Sequence, residues 1–374
     1  MSDTTAVTGR GLRSIAFYLP QYHPIPENDR WWGPGFTEWT NVAKARPLFR
    51  GHYQPHLPAD LGFYDLRVPE TRARQAEIAR AYGIDAFCYY HYWFHGRRLL
   101  ERPLQEVLSS GEPDMPFLLC WANERWTRTW DGGDDHVLID QTYSPADDLD
   151  HIRWLAAAFA DDRYVRVDDR PVLLVYSASA LPEPKRTTDL WRGEAQRLGV
   201  GEPYLIRVES YREPGGDPGR LGFDAAVEFQ PDTRRLGPRV PPEALRKLGR
   251  LAMPRNRRYQ NSVHRYGDLV QRSLAASPPD YKRFRCVTPS WDNSARRDPA
   301  LILTGASPEE FERWTQGVVA QFRPFSPDEN LVFVNAWNEW AEGNHLEPCL
   351  RYGSAFLEAY RAGIGAQRHS AGRR

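Results

Sequence analysis

Eight short apolar runs recur along this chain, and their rhythm limits what it can fold into more than any single motif. They fall at residues 14–19 (SIAFYL), 84–90 (IDAFCYY), 115–120, 171–176, 204–208, 225–229, 284–289 and 331–337 (LVFVNAW). Each has the length and the β-branched and aromatic content of a strand buried on both faces. Helical spacing fills most of the intervals, over residues 68–82, 99–108, 146–159, 188–198, 263–275 and 308–322, with a last helix at 354–362. Strands alternating with helices predict a parallel sheet. Eight such units in about 350 residues is the count of a (β/α)8 barrel. A doubly wound sheet would instead carry a GxGxxG turn after its first strand, and the residues after Leu19 hold none. The expected architecture is α/β: one TIM barrel with long βα loops over residues 14–364. Residues 1–13 and 365–374 are expected to be disordered. Residues 231–262 read as an insertion or lid, densest in Arg and Pro over 231–253.

In such a barrel the C-terminal ends of all the strands open at one mouth, and that is where this chain places its polar and aromatic residues. The first run leads into PQYHPIPENDRWWGPGFTEWTNV, a loop long enough to suggest function. The last run leads into Asn338, Glu339, Glu342, Asn344, His345 and Glu347, interleaved with Trp337 and Trp340. Indole faces stack on the C–H faces of sugar rings, and carboxylates do acid–base work on glycosidic bonds. Glu339 and Glu342 are three apart, which on a helical turn puts them on one face about 5–6 Å apart at Cβ. Two carboxylates that close do not both ionise freely, so one is pushed toward neutrality as an acid beside a base. They are the predicted catalytic pair; helix capping after a strand is the plainer alternative. Predicted substrate contacts are Tyr22, His23, Trp39, His91, Tyr92, Trp93, Asn123, Glu124, Trp126, Glu209, Glu228, Trp291, Asp292, Asn338 and His345. Arg125, Arg207 and Arg297 are possible ion-pair partners for the acids among them.

The 49 acidic and 49 basic residues cancel, which argues against nucleic acid or an anionic membrane as a partner. Thirteen tryptophans suit an aromatic-rich sugar cleft, although many must simply fill the core. The four cysteines (Cys88, Cys120, Cys286 and Cys349) have no metal or redox spacing. WDGGDD at 130–135 reads as an acidic turn. No metal or cofactor is expected. The first residues lack the apolar core of a signal peptide and no run reaches membrane-spanning length, so the expected location is the cytoplasm, with no integral membrane segment. Oligomeric state is left open.

Five stretches together carry a resemblance: IAFYLPQYHPIPENDRWWGPGFTEWTNV, FCYYHYWF, WANERWTRTWDG, VTPSWDNSARR and VNAWNEWAEGNHLEP. They closely resemble the WbsX-type family, whose members are often encoded in bacterial cell-surface polysaccharide loci and are described as glycosyltransferases. That family is in turn similar to glycoside hydrolase family 99, the endo-α-mannosidase-like barrels. The resemblance implies a barrel, an oligosaccharide or polysaccharide substrate of mannose type, and a retaining reaction. It also assigns roles: Glu339 would deprotonate the substrate's own 2-hydroxyl, which attacks the anomeric carbon, and Glu342 would protonate the leaving oxygen. Three functions follow. One is a hydrolase or transglycosylase using this pair; another is a glycosyltransferase using an activated sugar in lipopolysaccharide, O-antigen or exopolysaccharide synthesis. The third is a glycan-binding barrel without catalysis.

Overall fold

A computed structural model describes residues 11–128, 133–211, 213, 215–241 and 259–371. Eight parallel strands form the expected closed barrel: β1 (Arg13–Tyr18), β2 (Ala86–Phe94), β3 (Phe117–Trp121), β4 (Arg170–Val175), β5 (Tyr204–Glu209), β6 (Ala225–Glu228), β7 (Arg283–Val287) and β8 (Leu331–Val334). They neighbour one another in chain order, and β1 pairs with both β2 and β8, which closes the ring. Three helices, α1 (Pro26–Trp32), α2 (Glu38–Lys44) and α3 (Pro69–Ala81), lie between β1 and β2. Then α4 (Arg102–Ser110), α5 (Pro145–Phe159) and α6 (Pro184–Arg197) follow β2, β3 and β4, while α7 (Tyr266–Ala275) and α8 (Pro308–Gln321) precede β7 and β8. The chain closes with α9 (Ala355–Ala371), whose backbone runs past the end expected from sequence. No described helix is long and apolar enough to cross a membrane.

Local sequence explains where the helices start. The Ser144 hydroxyl accepts the Asp147 N–H, Pro145 takes the first helical position, and Asp147 and Asp148 face the positive end of the helix dipole. Ser307, Pro308, Glu309 and Glu310 repeat the arrangement at α8. The stretch expected to be helical over 263–275 is divided: Ser262–Arg265 is a strand paired with Leu301–Thr304, and α7 begins only at Tyr266. Val263 and Ile302 are buried in a small satellite core there, so tertiary packing overrides the helical pattern.

The barrel interior is filled. The Phe17 ring lies 5.8 Å from Tyr90, 5.4 Å from Phe229 and 5.8 Å from Phe333, and Tyr176 meets Phe229 at 5.4 Å. Cys88, Cys120 and Cys286 are buried free thiols, as expected of small core residues.

The outer wall is uneven. Between β5 and β6 the described residues hold only the short turn Pro218–Leu221, so no α-helix among them covers this side. Register places Glu209 beside Glu228, and Arg207 beside Ala226, itself beside Arg283, on one outward face. Glu209 accepts from Arg207 at 2.9 Å, Arg283 at 3.2 Å and the Tyr281 hydroxyl at 2.6 Å. Glu228 accepts from Arg285 at 2.9 Å and pairs with Arg235. Residues 242–258 of the lid expected over 231–262 lie outside the described residues, as do residues 1–10 and the first half of the WDGGDD turn, 130–132.

Candidate active site

Beyond β8 the chain folds back on itself. Asn338–Glu339 pairs antiparallel with Asn344–His345, and the two flank a single 3-10 turn, Trp340–Glu342. Gly343 makes the reversal possible. Its φ is +56°, and a Cβ there would stand 3.0 Å from the Asp292 Cβ and 3.2 Å from the Asp292 nitrogen. That close approach lets the Asp292 N–H donate to the Glu342 carbonyl at 2.6 Å. The Asp292 carboxylate accepts from His52 Nε2 at 2.6 Å and from the Ser294 N–H at 3.0 Å. Burial alone would raise it, but these hydrogen bonds and the His52 charge hold it below the usual carboxylate range.

The underside of the turn is anchored in the core. Asn338 accepts the Leu19 N–H at 2.7 Å and donates to the Leu19 carbonyl at 3.0 Å, which ties the turn to the end of β1. The Tyr22 hydroxyl donates to the Asn338 carbonyl and accepts the Trp340 N–H at 3.3 Å. Trp340 lies on His345 with ring centres 3.7 Å apart and 13° between planes. Its indole N–H donates to Glu347 at 2.6 Å, and Glu347 also receives Gln75 at 2.6 Å and the Tyr64 hydroxyl at 2.8 Å. Burial pushes Glu347 up to about 7 against the pull of these hydrogen bonds. Trp39 packs beneath, its ring 5.6 Å from Trp340, with its N–H on the Tyr64 carbonyl.

On the open side of the turn one guanidinium gathers three carboxylates. Arg296 reaches Glu342 Oε1 through Nη1 at 2.9 Å and Glu339 Oε2 through Nη2 at 3.1 Å. Its Nη2 and Nε also meet Glu38 Oε1, at 2.5 and 2.7 Å. Glu38 begins α2 and is fully buried. Burial raises Glu339 to about 8, with Arg296 opposing and the neighbouring charges of Glu342 and Glu38 adding to the rise. Glu38 is likewise raised, first by burial. Burial works against the Arg296 charge, but the three carboxylates outweigh it and hold the guanidinium well above its ordinary value. Glu342 is the more open partner, its side chain 21% exposed against 8% for Glu339. Tyr92 feels the Glu339, Arg296 and Glu38 charges, and Tyr176 feels Glu124 and Glu342, so β2 and β4 contribute phenols to the same mouth.

The structure therefore brings together Glu339, Glu342, Tyr92, Asp292, Asn338, His345, Tyr22 and Trp39, the last four as supports of the turn. Trp126 stands on the rim, its ring 5.1 Å from Tyr92, and Trp291 is half-buried beyond β7. Asn123 joins the ends of β3 and β4 through Ser177, donating to its carbonyl and accepting its N–H, each at 2.8 Å, while half-buried Glu124 lies next to it. His23 is buried against the Pro20 carbonyl at 3.1 Å. Four other predicted contacts point away from the mouth. His91 lies flat against Trp154 at 4.5 Å, with its Nε2 3.0 Å from that of His151 on α5. Trp93 donates to Asp147 on the same helix at 2.9 Å. Glu209 and Glu228 belong to the outer ion pairs.

Sequence reasoning did not single out Glu38 or Arg296. Glu38 reads as an ordinary acidic first-turn residue, and of the two adjacent arginines the expected ion-pair partner is Arg297, not Arg296. The flagged loop after β1 was the available signal.

Comparison with known proteins bears on the fold and on the family. Residues 14–360 match the family described as "Glycosyltransferase WbsX". The uncharacterized protein WxcX of Xanthomonas campestris pv. campestris, in strains B100 and ATCC 33913, is 45% identical over 352 residues. That match covers 94% of this chain but 49% of WxcX, so the chain spans about half the length of those relatives. Among solved structures, a GH99 endo-α-mannosidase from Bacteroides thetaiotaomicron in complex with Bis-Tris propane superposes with a TM-score of 0.58. The identity is 11%, and the match covers 96% of this chain and 98% of that one. A glycoside hydrolase-like protein gives 0.60 at 13% identity, covering 97% of each chain. At such identities these two likenesses establish a shared barrel fold. The match across residues 14–360 and the WxcX identity establish more, and the chain belongs to the WbsX glycosyltransferase family.

Proposed function

We propose that this barrel cleaves or transfers glycosidic bonds of a bacterial surface glycan, with Glu339 and Glu342 as the reacting pair. The observation that carries the reading is the meeting of both carboxylates on the two terminal nitrogens of Arg296, at 3.1 and 2.9 Å. One guanidinium thus holds both carboxylates at the same place in the mouth. Glu339 takes the proton of the substrate's 2-hydroxyl as that oxygen attacks the anomeric carbon. Glu342 gives its proton to the departing glycosidic oxygen, leaving a 1,2-anhydro sugar. Water or a sugar hydroxyl then opens that ring, returning its proton to Glu342 while Glu339 restores the proton to O2. Configuration is retained over the two steps. A raised carboxylate is the stronger base once ionised, which suits Glu339 to an alcohol proton. The family resemblance and the shared fold support a mannose-type substrate and the same assignment.

The second reading is transfer from an activated sugar, favoured by the description of the family itself. Against it stands local charge: three carboxylates, two of them buried, share Arg296, an unfavourable setting for a diphosphate. Purified protein is incubated with α-linked oligosaccharides, alone and with nucleotide sugars, and products are read by mass spectrometry. Products from free glycans, lost in Glu342→Gln, are expected. Elongation only in the presence of a nucleotide sugar would replace the first reading with the second.

A further inference from the structure

Arg296 has five N–H donors in a rigid fork, and both its Nε and its Nη2 meet Glu38 Oε1, at 2.7 and 2.5 Å. Glu38 comes from a distant part of the chain, 258 residues away, on the long loop after β1. Its helix packs against the Trp340–Glu342 turn, so Glu38 is joined to the site through its helix as well as through its carboxylate. If Glu38 merely favoured the start of α2, its carboxylate would turn back to the first-turn N–H groups, yet it is spent on Arg296. We propose that Glu38 is a positioning residue of this site: it holds the Arg296 fork from the β1 side and so fixes how much of its charge reaches Glu339 and Glu342. The inference rests on the reading of those two glutamates as the reacting pair.

The charges facing Glu339 come from every side of the mouth. Arg296 lies beyond β7, Glu342 is on the same turn, Glu38 is on α2, and the phenols of Tyr22, Tyr90 and Tyr92 stand around them. Tyr176 and Glu124 are grouped with Glu342. Glu38→Gln keeps an oxygen acceptor for Arg296 but removes one negative charge. Arg296 is then divided between two carboxylates, and Glu339 loses a repulsive neighbour. Both changes favour ionised Glu339.

The test is a carboxyl-carbon NMR titration of protein labelled at glutamate Cδ, with the Glu339 signal assigned by its loss in Glu339→Gln. In Glu38→Gln, shown to be folded by circular dichroism, the Glu339 midpoint should fall by about two pH units, as expected for one charge removed within about 6 Å at an effective dielectric of about 20. An unmoved midpoint would overturn the proposal, because a purely structural Glu38 would change stability without moving it. Arg296→Lys supplies the reciprocal: an ammonium cannot bridge all three acids, so the Glu339 midpoint should rise. If Glu38→Gln does not fold, the decision rests on the unsubstituted protein. The unsubstituted protein needs no folded variant. There Glu339 should titrate over more than one step as Glu38 changes charge, and a single simple step would count against the coupling. None of these readouts needs a substrate. If Glu339→Gln and Glu342→Gln retained turnover, the functional reading would fall by itself; if both lost it while the midpoint stayed put, only this inference would.

Discussion

The backbone N–H of Asp292 donates to the carbonyl of Glu342 at 2.6 Å, which locks the loop after β7 to the turn after β8. The bond depends on Gly343, where the chain adopts a left-handed φ and passes so close to Asp292 that a Cβ would press on it at 3.0 Å. Gly343→Ala should cost about 1–2 kcal/mol from the backbone conformation alone, read by urea unfolding. Activity should fall further than stability explains, because Glu342 is displaced from Arg296. Full activity in a folded Gly343→Ala protein would show that the close approach does not position Glu342.

Glu339→Gln and Glu342→Gln should each lower turnover by at least about a hundredfold, the scale of a lost acid–base group. Neither should unfold the protein. Glutamine mimics the neutral form toward which burial already drives Glu339, so its thermal midpoint should hold or rise. Wild-type rates in either variant would exclude the mechanism.

The direction of the pH–rate profile tests which glutamate does what. With Glu339 as base and its ionisation near pH 8, kcat/KM on an oligosaccharide turned over in the panel should climb as pH rises through that value. A decline over the same interval would exchange the two roles.

Glu347 receives Tyr64, Gln75 and Trp340, so truncating it strands three buried donors. Glu347→Ala should cost about 2–4 kcal/mol in chemical denaturation. Glu347→Gln keeps an acceptor and should cost much less. Equal losses in the two variants would mean that the network contributes little.

Stability should peak near pH 6.5. His23, His56, His91, His151 and His345 are all buried with pKa values lowered from 6.5, first by burial. Below pH 6.5 the unfolded chain binds protons that the folded one refuses, so these groups remove stability as pH falls, until about 4 for His23 and His56 and about 3 for His91. Glu339 and Glu347 act in the opposite sense. Folded, they keep protons up to about 8 and about 7 that the unfolded chain loses near 4.5, so their contribution is complete at low pH and lost as pH rises. Thermal midpoints measured from pH 4 to 9 should trace a dome; a monotonic rise to pH 9 would contradict the protonation states assigned to the two glutamates.

The barrel was legible because strands buried on both faces are continuous apolar runs, and LVFVNAW or IDAFCYY can hardly be anything else. The Glu339–Glu342 pair was legible because its three-residue spacing survives in a 3-10 turn. The same continuity hid which way each polar residue points. Along a strand, one step turns a side chain from the mouth to the outer wall, and a run apolar on both faces gives no phase. His91 and Glu209 therefore looked like mouth residues although their neighbours Tyr92 and Val208 point the other way. The Glu38–Arg296 contact was hidden by distance along the chain, since no local pattern reports a partner 258 residues off. The Ser262–Arg265 strand was read as helix because its few residues run directly into α7.

The wall between β5 and β7, where described residues supply no covering helix after β5, is closed by acids and bases in place of interlocking apolar side chains. Apolar packing tolerates gradual change, since one methyl can be exchanged for another. A buried ion left without its partner is far harder to accommodate. Glu209 cannot drift alone while Arg207 and Arg283 remain, nor Glu228 while Arg285 remains. Among descendants of this sequence, positions 207, 209 and 283, and positions 228 and 285, should change together or not at all. This flank of the barrel would then record its history in paired replacements, while the helix-covered flanks record theirs one residue at a time.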